Sequence, residues 1–409
     1  MNSSDSSPTS TKEPELKHTE ADVLVIGAGG AQAQAMLSAA RKAGPLDRWI
    51  CLDIAWQPQR RAATEALGAT TIELDALGDP DRLAELVSGV RVVANMVGPY
   101  FRTVGPVLDA CIAAGVDYLD ICDDADATGD VLSRDAAAKA SGTRALTGMG
   151  ATPGTSNVMV RAAVDVLGSA QKVEICWIND ARDSSPAAVE HLWHIFRPYG
   201  PNGVESQVPR WEELVQREVE FADTVGTHLT MQLAHSELVT LPHYLGIEDV
   251  ENFGGLAPAD PLILLWALAR MGAGAGTDID PMAHRMVDKV IDEYRQTPRI
   301  RGGLRIDVVR EDGVGIRFQS DSPETMEEST GTPAAAGILM MLDGALAEPG
   351  VFAPECLRPV DFFNRMGSVS EPTGSMAAFA LAGDRRGDRI SLREMLTTPE
   401  VVGARLTTQ

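Results

Sequence analysis

Two glycines, a strand-end aspartate and a scattered set of histidine, tyrosine, aspartate and arginine side chains carry the chemistry legible in this chain. Gly27 and Gly29 interrupt the apolar run Asp22 to Ile26, and a helical pattern with Ala33, Met36, Leu37 and Ala40 opens straight after them. Strand, glycine turn and helix in that order cradle a pyrophosphate. The first glycine permits the tight turn, the second lets backbone approach the phosphates, and the helix start offers free N–H groups and a positive dipole end. Gly30, Ala31 and Gln32 continue the turn, although a small residue is usual where Gln32 stands. Either Ala31 and Ala33 manage the close helix–strand packing or Gln32 points outward. Without a ligand, the same tripeptide is an ordinary βα turn. Asp53 closes the second strand 24 positions after Gly29. A carboxylate there accepts hydrogen bonds from both adenosine ribose hydroxyls and repels a 2′-phosphate, which favours NAD. Arg60 and Arg61 follow closely enough to receive a 2′-phosphate, so NADP stays open. Asp75, Asn95, Val97 and Gly98, at the ends of the third and fourth strands, are further candidates for cofactor contacts.

A redox cofactor leaves the protein to position substrate and handle protons. Tyr100 and Asp123, at strand ends, and His191 or His194, from the second domain, are the candidate proton donors. Each has a plainer reading: a packing tyrosine, a turn-capping aspartate, a helix-packing histidine. Arg102 and Arg182 could clamp substrate carboxylates through the bidentate guanidinium fork. Gly154 to Asn157, with Pro153 before them, form a second helix start suited to touching substrate or the nicotinamide amide. No metal site is expected. The five cysteines are scattered without a C-x-x-C, and no H-E-x-x-H, G-x-S-x-G or P-loop occurs.

The elements that must hold these residues alternate regularly. Strands over Asp22–Ile26, Trp49–Leu52, Thr70–Leu74, Arg91–Val97, Val116–Ile121 and Thr143–Thr147 are separated by helices, including Arg60–Leu67, a helix from Asp79 through Val87, Val107–Ala114 and Asp135–Ala140. Residues Gly98 to Arg102 read as a loop. The expected fold class is α/β: a Rossmann-type doubly wound parallel sheet plus a second α+β domain with a mixed sheet. In that second part, Lys172–Asn179 is a strand, Ala187–Phe196 a helix, and Leu304–Arg310 with Val314–Phe318 a hairpin around Glu311-Asp312-Gly313. Thr332–Leu346 is an apolar helix, and Pro261–Ala269 a buried one. The expected division is a disordered lead over 1–19, an NAD(P)-binding domain over 20–150, and a substrate and dimerisation domain over 151–330. A helix and segment over 331–366 then return to the first domain, and 367–409 form a linker and last helix.

The 409 residues fit two domains, with 44% hydrophobic and 23% charged residues as in a soluble globular protein. A formal net charge of -23 argues against nucleic acid and anionic membrane surfaces as partners. Cysteine usage suggests a reducing, cytoplasmic compartment, and no apolar run is long enough to span a bilayer.

Several motifs together resemble one family. They are Gly27-Ala28-Gly29-Gly30, Val97-Gly98-Pro99-Tyr100, the run Ala110 to Asp120, and Gly150-x-x-Pro153-Gly154-x-x-Asn157. Thr330 to Ala336 and Gly350 to Glu355 follow further on. These are similar to saccharopine dehydrogenase-like oxidoreductases over roughly residues 20–365, most strongly in the cofactor half. The resemblance implies an NAD(P)-binding Rossmann domain, a mixed-sheet substrate domain and hydride chemistry at a C–N bond, acting on a small molecule in a homodimer. Relatives include imine-reducing enzymes of spermidine pathways and a branch implicated in reducing carbon–carbon double bonds. The leading expectation is reductive joining, or oxidative splitting, of an amine and a carbonyl compound. Reduction of an activated C=C or C=O, and non-catalytic dinucleotide binding, are the alternatives.

Overall fold

The computed structural model describes residues 21–196, 215–272, 278–371, 373–383 and 385–406. The expected amino-terminal lead lies outside them. Six strands alternate with helices at the start of the chain: β1 (Val23–Ile26), β2 (Trp49–Asp53), β3 (Thr70–Glu73), β4 (Val92–Asn95), β5 (Asp117–Asp120) and β6 (Arg144–Leu146). There follow β7 (Lys172–Asp180), β8 (Gln216–Glu220), β9 (Thr227–Gln232), β10 (Asp249–Ala257), β11 (Gly302–Val309) and β12 (Val314–Ser322). The last strands are β13 (Gly350–Phe352), β14 (Ser375–Ala382) and β15 (Arg385–Ile390).

β1 is built from Val23, Leu24, Val25 and Ile26, all buried, as a strand covered on both faces must be. It pairs in parallel with β2 on one side and β4 on the other, in a seven-stranded sheet of order β13-β6-β5-β4-β1-β2-β3. Strand order reverses at β1, and a crevice opens outside the carboxyl ends there. The helix Ala31–Ala43 turns Ala33, Met36, Leu37 and Ala40 into the core and packs against the helix Met326–Leu342. Their approach is close enough that a Cβ on Gly331 would fall 2.6 Å from Gln32 O and Met36 N.

The second sheet has eight strands, ordered β15-β14-β12-β11-β7-β10-β9-β8. It is mixed: β7 runs parallel to β10 and antiparallel to β11. One core gathers Val173, Ile175, Ile306 and Phe318 under the helices Thr155–Leu167 and Glu237–Leu245. Another lies beneath Pro186–Phe196, Asp260–Arg270 and Pro281–Glu293. The architecture is thus α/β, a parallel sheet with helices on both faces joined to a mixed-sheet domain. No helix among the described residues is long and apolar enough to cross a membrane.

Several local expectations are corrected. Gly98 to Arg102 is not all loop, because the helix Tyr100–Ala114 begins there and runs through Pro106. An interior proline costs about 3 kcal/mol, offset here by burial of Val104, Val107, Leu108 and Cys111. The helix Met326–Leu342 likewise contains Pro333 and starts before Thr332, at a capping box in which Thr325 and Glu328 satisfy each other's backbone N–H. An unexpected helix, Ala125–Leu132, follows β5. The apolar run in Asp260–Arg270 is only partly buried: Leu262, Leu265 and Ala269 face the core. The linker expected to begin at residue 367 instead carries β14 and β15. An edge strand needs only backbone partners on one side, so exposed Arg385 to Arg389 gave no apolar signal.

Candidate active site

A cleft of about 770 Å³ lies at the carboxyl end of the parallel sheet and is closed by elements of the second domain; ligand sites span roughly 300–1,000 Å³. Gly27, Gly29, Gly30, Ala31, Gln32 and Asp53 line one part. Gly27 has φ +78°, and a Cβ on it would lie 2.7 Å from Val97 Cγ2 and 3.0 Å from the Met96 carbonyl oxygen. Gly29 donates its N–H to Asp53 Oδ2 at 2.8 Å. The following helix has no side-chain cap and no acidic residue in its first turn, which leaves its N-terminal charge for an anion. Gln32 lines the cleft while Ala33 turns inward, so the alanine meets the packing demand. Gln34, not singled out from sequence, stiffens the turn by donating from Nε2 to Ala28 O (2.7 Å). Backbone approach, open helix start and strand-end carboxylate together fit a nicotinamide dinucleotide. The turn and helix start would hold its pyrophosphate, and Asp53 its ribose.

Not every expected cofactor residue reaches this cleft. Val97 and Gly98 line it; Asp75 and Asn95 do not. Asp75 accepts from the N–H groups of Leu77 and Gly78 in its own turn. Asn95 is buried, accepts from Val97 N–H and donates to the Tyr118 hydroxyl, so it shapes the turn that Val97 presents. Arg60 lines the cleft and donates to Gly29 O (2.6 Å), whereas Arg61 is engaged by Glu65 and Thr71.

Where the two domains meet, the cleft is lined by Tyr100, Asp123, His191, His235 and Trp177. His191, on the helix Pro186–Phe196, sets Nδ1 2.7 Å from Asp124 Oδ1 and 3.3 Å from Asp123 Oδ1. Burial opposes its protonation, but the charges of Asp123 and Asp124 outweigh that and lift it to about 9. Burial, and then the His191 and Asp124 charges pulling in opposite directions, leaves the Asp123 carboxyl raised. Burial and the Asp123 charge hold the Tyr100 hydroxyl protonated well above its usual range. Asp120, fully buried, accepts from Cys122 N–H, Thr147 Oγ1 and Gly148 N–H, tying together two of the loops around the site.

His235 carries no sequence signal: it stands outside every motif that carries the family resemblance. A β-bridge between Asp124 and His235 brings it to the cleft, where its ring meets that of His191 edge to face at 5.6 Å. His194 is placed elsewhere, its Nε2 2.8 Å from Asp126 and its ring stacked on Phe101. Neither expected clamp is in the cleft: Arg102 pairs with Asp278, and Arg182 with Asp180 (2.7 Å) and the Thr297 carbonyl.

Gly154 and Asn157 also lie outside the lining, one layer behind it. Gly150 to Pro153 touch the cleft, and Asn157 Oδ1 accepts from Gly154 N–H (2.9 Å) to hold that loop. At φ +128°, Gly154 passes so close to Gly150 that a Cβ would fall 1.8 Å from its carbonyl oxygen. Asn157 Nδ2 donates in turn to Glu355 Oε2 (2.9 Å). Glu355 is fully buried, and burial pushes its carboxyl from 4.5 up to about 7. The folded state therefore binds a proton that the unfolded chain has lost. Stability from this group is complete below about pH 4.5, declines as pH rises toward 7 and is gone above, worth roughly 3 kcal/mol at most. Glu355→Gln is expected to flatten that decline; melting temperatures of both proteins from pH 5 to 8 check it, and parallel curves would refute it.

The fold and cleft define the class: a two-domain protein with a Rossmann-type domain whose cleft fits a nicotinamide dinucleotide. Residues 23–146 match the family model described as the saccharopine dehydrogenase NADP binding domain, so the first domain is of that type. Among solved structures, the chain is similar to saccharopine dehydrogenase (L-Glu forming) from Saccharomyces cerevisiae. The TM-score is 0.54 and the identity 13%, over 85% of this chain and 96% of that one. It is also similar to homospermidine synthase from Legionella pneumophila in complex with NAD, with TM-score 0.57 and identity 10%, over 95% of this chain and 98% of that one. At such identities the likeness is one of fold. No curated protein sequence gives a significant match.

Proposed function

We propose that the chain is an NAD(P)-dependent oxidoreductase acting at a carbon–nitrogen bond, reducing an imine formed from an amine and a carbonyl compound or running the reverse. One observation carries the reading: His191, held between Asp123 and Asp124, is buried where the domains meet in the same cleft as the Gly27–Gly29 turn. A bound nicotinamide dinucleotide supplies or accepts the hydride. With Nδ1 committed to Asp124, His191 presents Nε2 to the substrate nitrogen, giving it a proton or taking one. The Asp123 carboxylate offsets the positive charge of an iminium. The alkoxide formed on reducing a plain carbonyl would meet the same carboxylates with the opposite sign, which favours the C–N reading. Among the described lining residues, Arg60 is the only lysine or arginine, and it stands by the glycine turn.

The net charge of -23 supports a small-molecule partner, and five free cysteines support a reducing, cytoplasmic setting. The proposed reaction is tested by following NADH consumption with a panel of keto compounds, with and without amines. Turnover is expected only when an amine is present, and turnover indifferent to it would overturn the reading.

We propose NAD(H) as the preferred cofactor, supported by Asp53 in the cleft. Asp53→Ser removes the charge that repels a 2′-phosphate and leaves Arg60 beside it. Affinity for NADPH relative to NADH is expected to rise about tenfold. Fluorescence titration with both cofactors measures it; an unchanged ratio would show that Asp53 does not face the ribose.

A further inference from the structure

We infer that Asp123, His191 and His235 form a site for one transition-metal dication, Zn2+ being the best match. A carboxylate oxygen of Asp123 and one ring nitrogen of each histidine lie within 4.8 Å of one another. Three separate elements deliver them: the loop after β5, the helix Pro186–Phe196 and the turn before Glu237–Leu245. None of the three side chains belongs to a hydrophobic core.

Each histidine is backed by its own buried carboxylate. His191 Nδ1 is on Asp124 at 2.7 Å and His235 Nδ1 on Glu237 at 3.1 Å, and these acids are 1% and 0% exposed. A carboxylate behind an imidazole fixes its tautomer and strengthens the other nitrogen as a metal ligand. Both histidines line the cleft, and among the described residues nothing hydrogen-bonds to Nε2 of either. Glu237 is itself held by Ser156 Oγ at 2.9 Å, so the backing is rigid.

Charge points the same way. Asp123, Asp124 and Glu237 bring three carboxylates to two imidazoles, and among the described residues no lysine or arginine pairs with them. A dication answers that excess without recourse to protons. Two nitrogens and one oxygen suit Zn2+, whereas Mg2+ and Ca2+ take oxygen donors throughout. Three protein ligands leave a fourth position open to the cleft. Tetrahedral Zn2+ needs donors about 3.3 Å apart, which side-chain rotation of the order of 1 Å supplies from the observed spacing.

Metal and proton compete for the same imidazoles, so a bound ion would displace the proton that the proposed function assigns to His191. The test needs no turnover. Full-length protein freed of metal by EDTA dialysis is titrated with Zn2+ by calorimetry and with Co2+ by visible spectroscopy. One ion per chain is expected, giving the d–d bands of low-coordinate cobalt and no thiolate charge-transfer band. His235→Gln and Asp123→Asn should each weaken binding by about 100-fold, and Glu237→Gln by about tenfold. The inference fails if the unaltered protein shows no saturable binding, if a thiolate band puts the ion on a cysteine, or if both ligand variants bind as before. The first two outcomes need no variant to fold.

Discussion

Gly29→Ala is expected to weaken NADH binding by about 100-fold, equivalent to about 2.7 kcal/mol, while the protein melts within a few degrees of the unaltered chain. The added methyl would fall 2.8 Å from Asp53 Oδ2, in the space where Gly29 N–H now meets that carboxylate. It would also stand between the backbone and an incoming pyrophosphate. Gly29 is not at positive φ, so the backbone tolerates the substitution, and the loss falls on the ligand. Gly27→Ala is the instructive contrast. Gly27 has φ +78° and sits against the Met96 carbonyl, so a side chain there adds about 1–2 kcal/mol of left-handed strain and destabilises the fold as well. Calorimetric titration with NADH and thermal melts of both variants separate the two effects. Unchanged affinity in Gly29→Ala would place the dinucleotide elsewhere.

His191→Gln is expected to lower kcat by roughly 10²–10⁴-fold and leave NADH affinity within about threefold. Glutamine keeps much of the volume and a hydrogen-bonding group near Asp124 but has no proton to exchange near neutral pH. His194→Gln serves as the internal comparison. His194 packs on Phe101 and reaches Asp126, so its loss should cost on the order of 1 kcal/mol of stability and little turnover. Single-turnover measurements with enzyme saturated in cofactor distinguish the cases. Equal kcat losses in both variants would mean that His191 matters only for packing.

The geometry of the glycine turn was legible because it is local. Gly27, Gly29 and Asp53 belong to one βαβ unit, and hydrogen bonds over 24 positions join strand ends that the sheet makes adjacent. Arg102 and Arg182 look equally promising as a carboxylate clamp from residue type alone. Arg102 is taken up by Asp278, 176 positions away, and Arg182 by Asp180, a near neighbour that residue type alone does not single out as its partner. Asn157 presented a similar problem: its helix start was recognisable, but its amide is turned to Glu355, nearly 200 positions away.

From the amino-acid sequence by itself come the class of fold, the glycine turn between strand and helix and the run of alternating elements, because strand burial, glycine conformation and helix starts are set by near neighbours. Only the tertiary structure decided which ionisable groups share the cleft. It joined His235 to Asp124 through a bridge, set His191 between two aspartates, and withdrew Asp75, Asn95 and both arginines from the site. The reason is physical: a charge's role depends on which groups surround it and how far water is excluded, and the chain brings those groups together from distant positions.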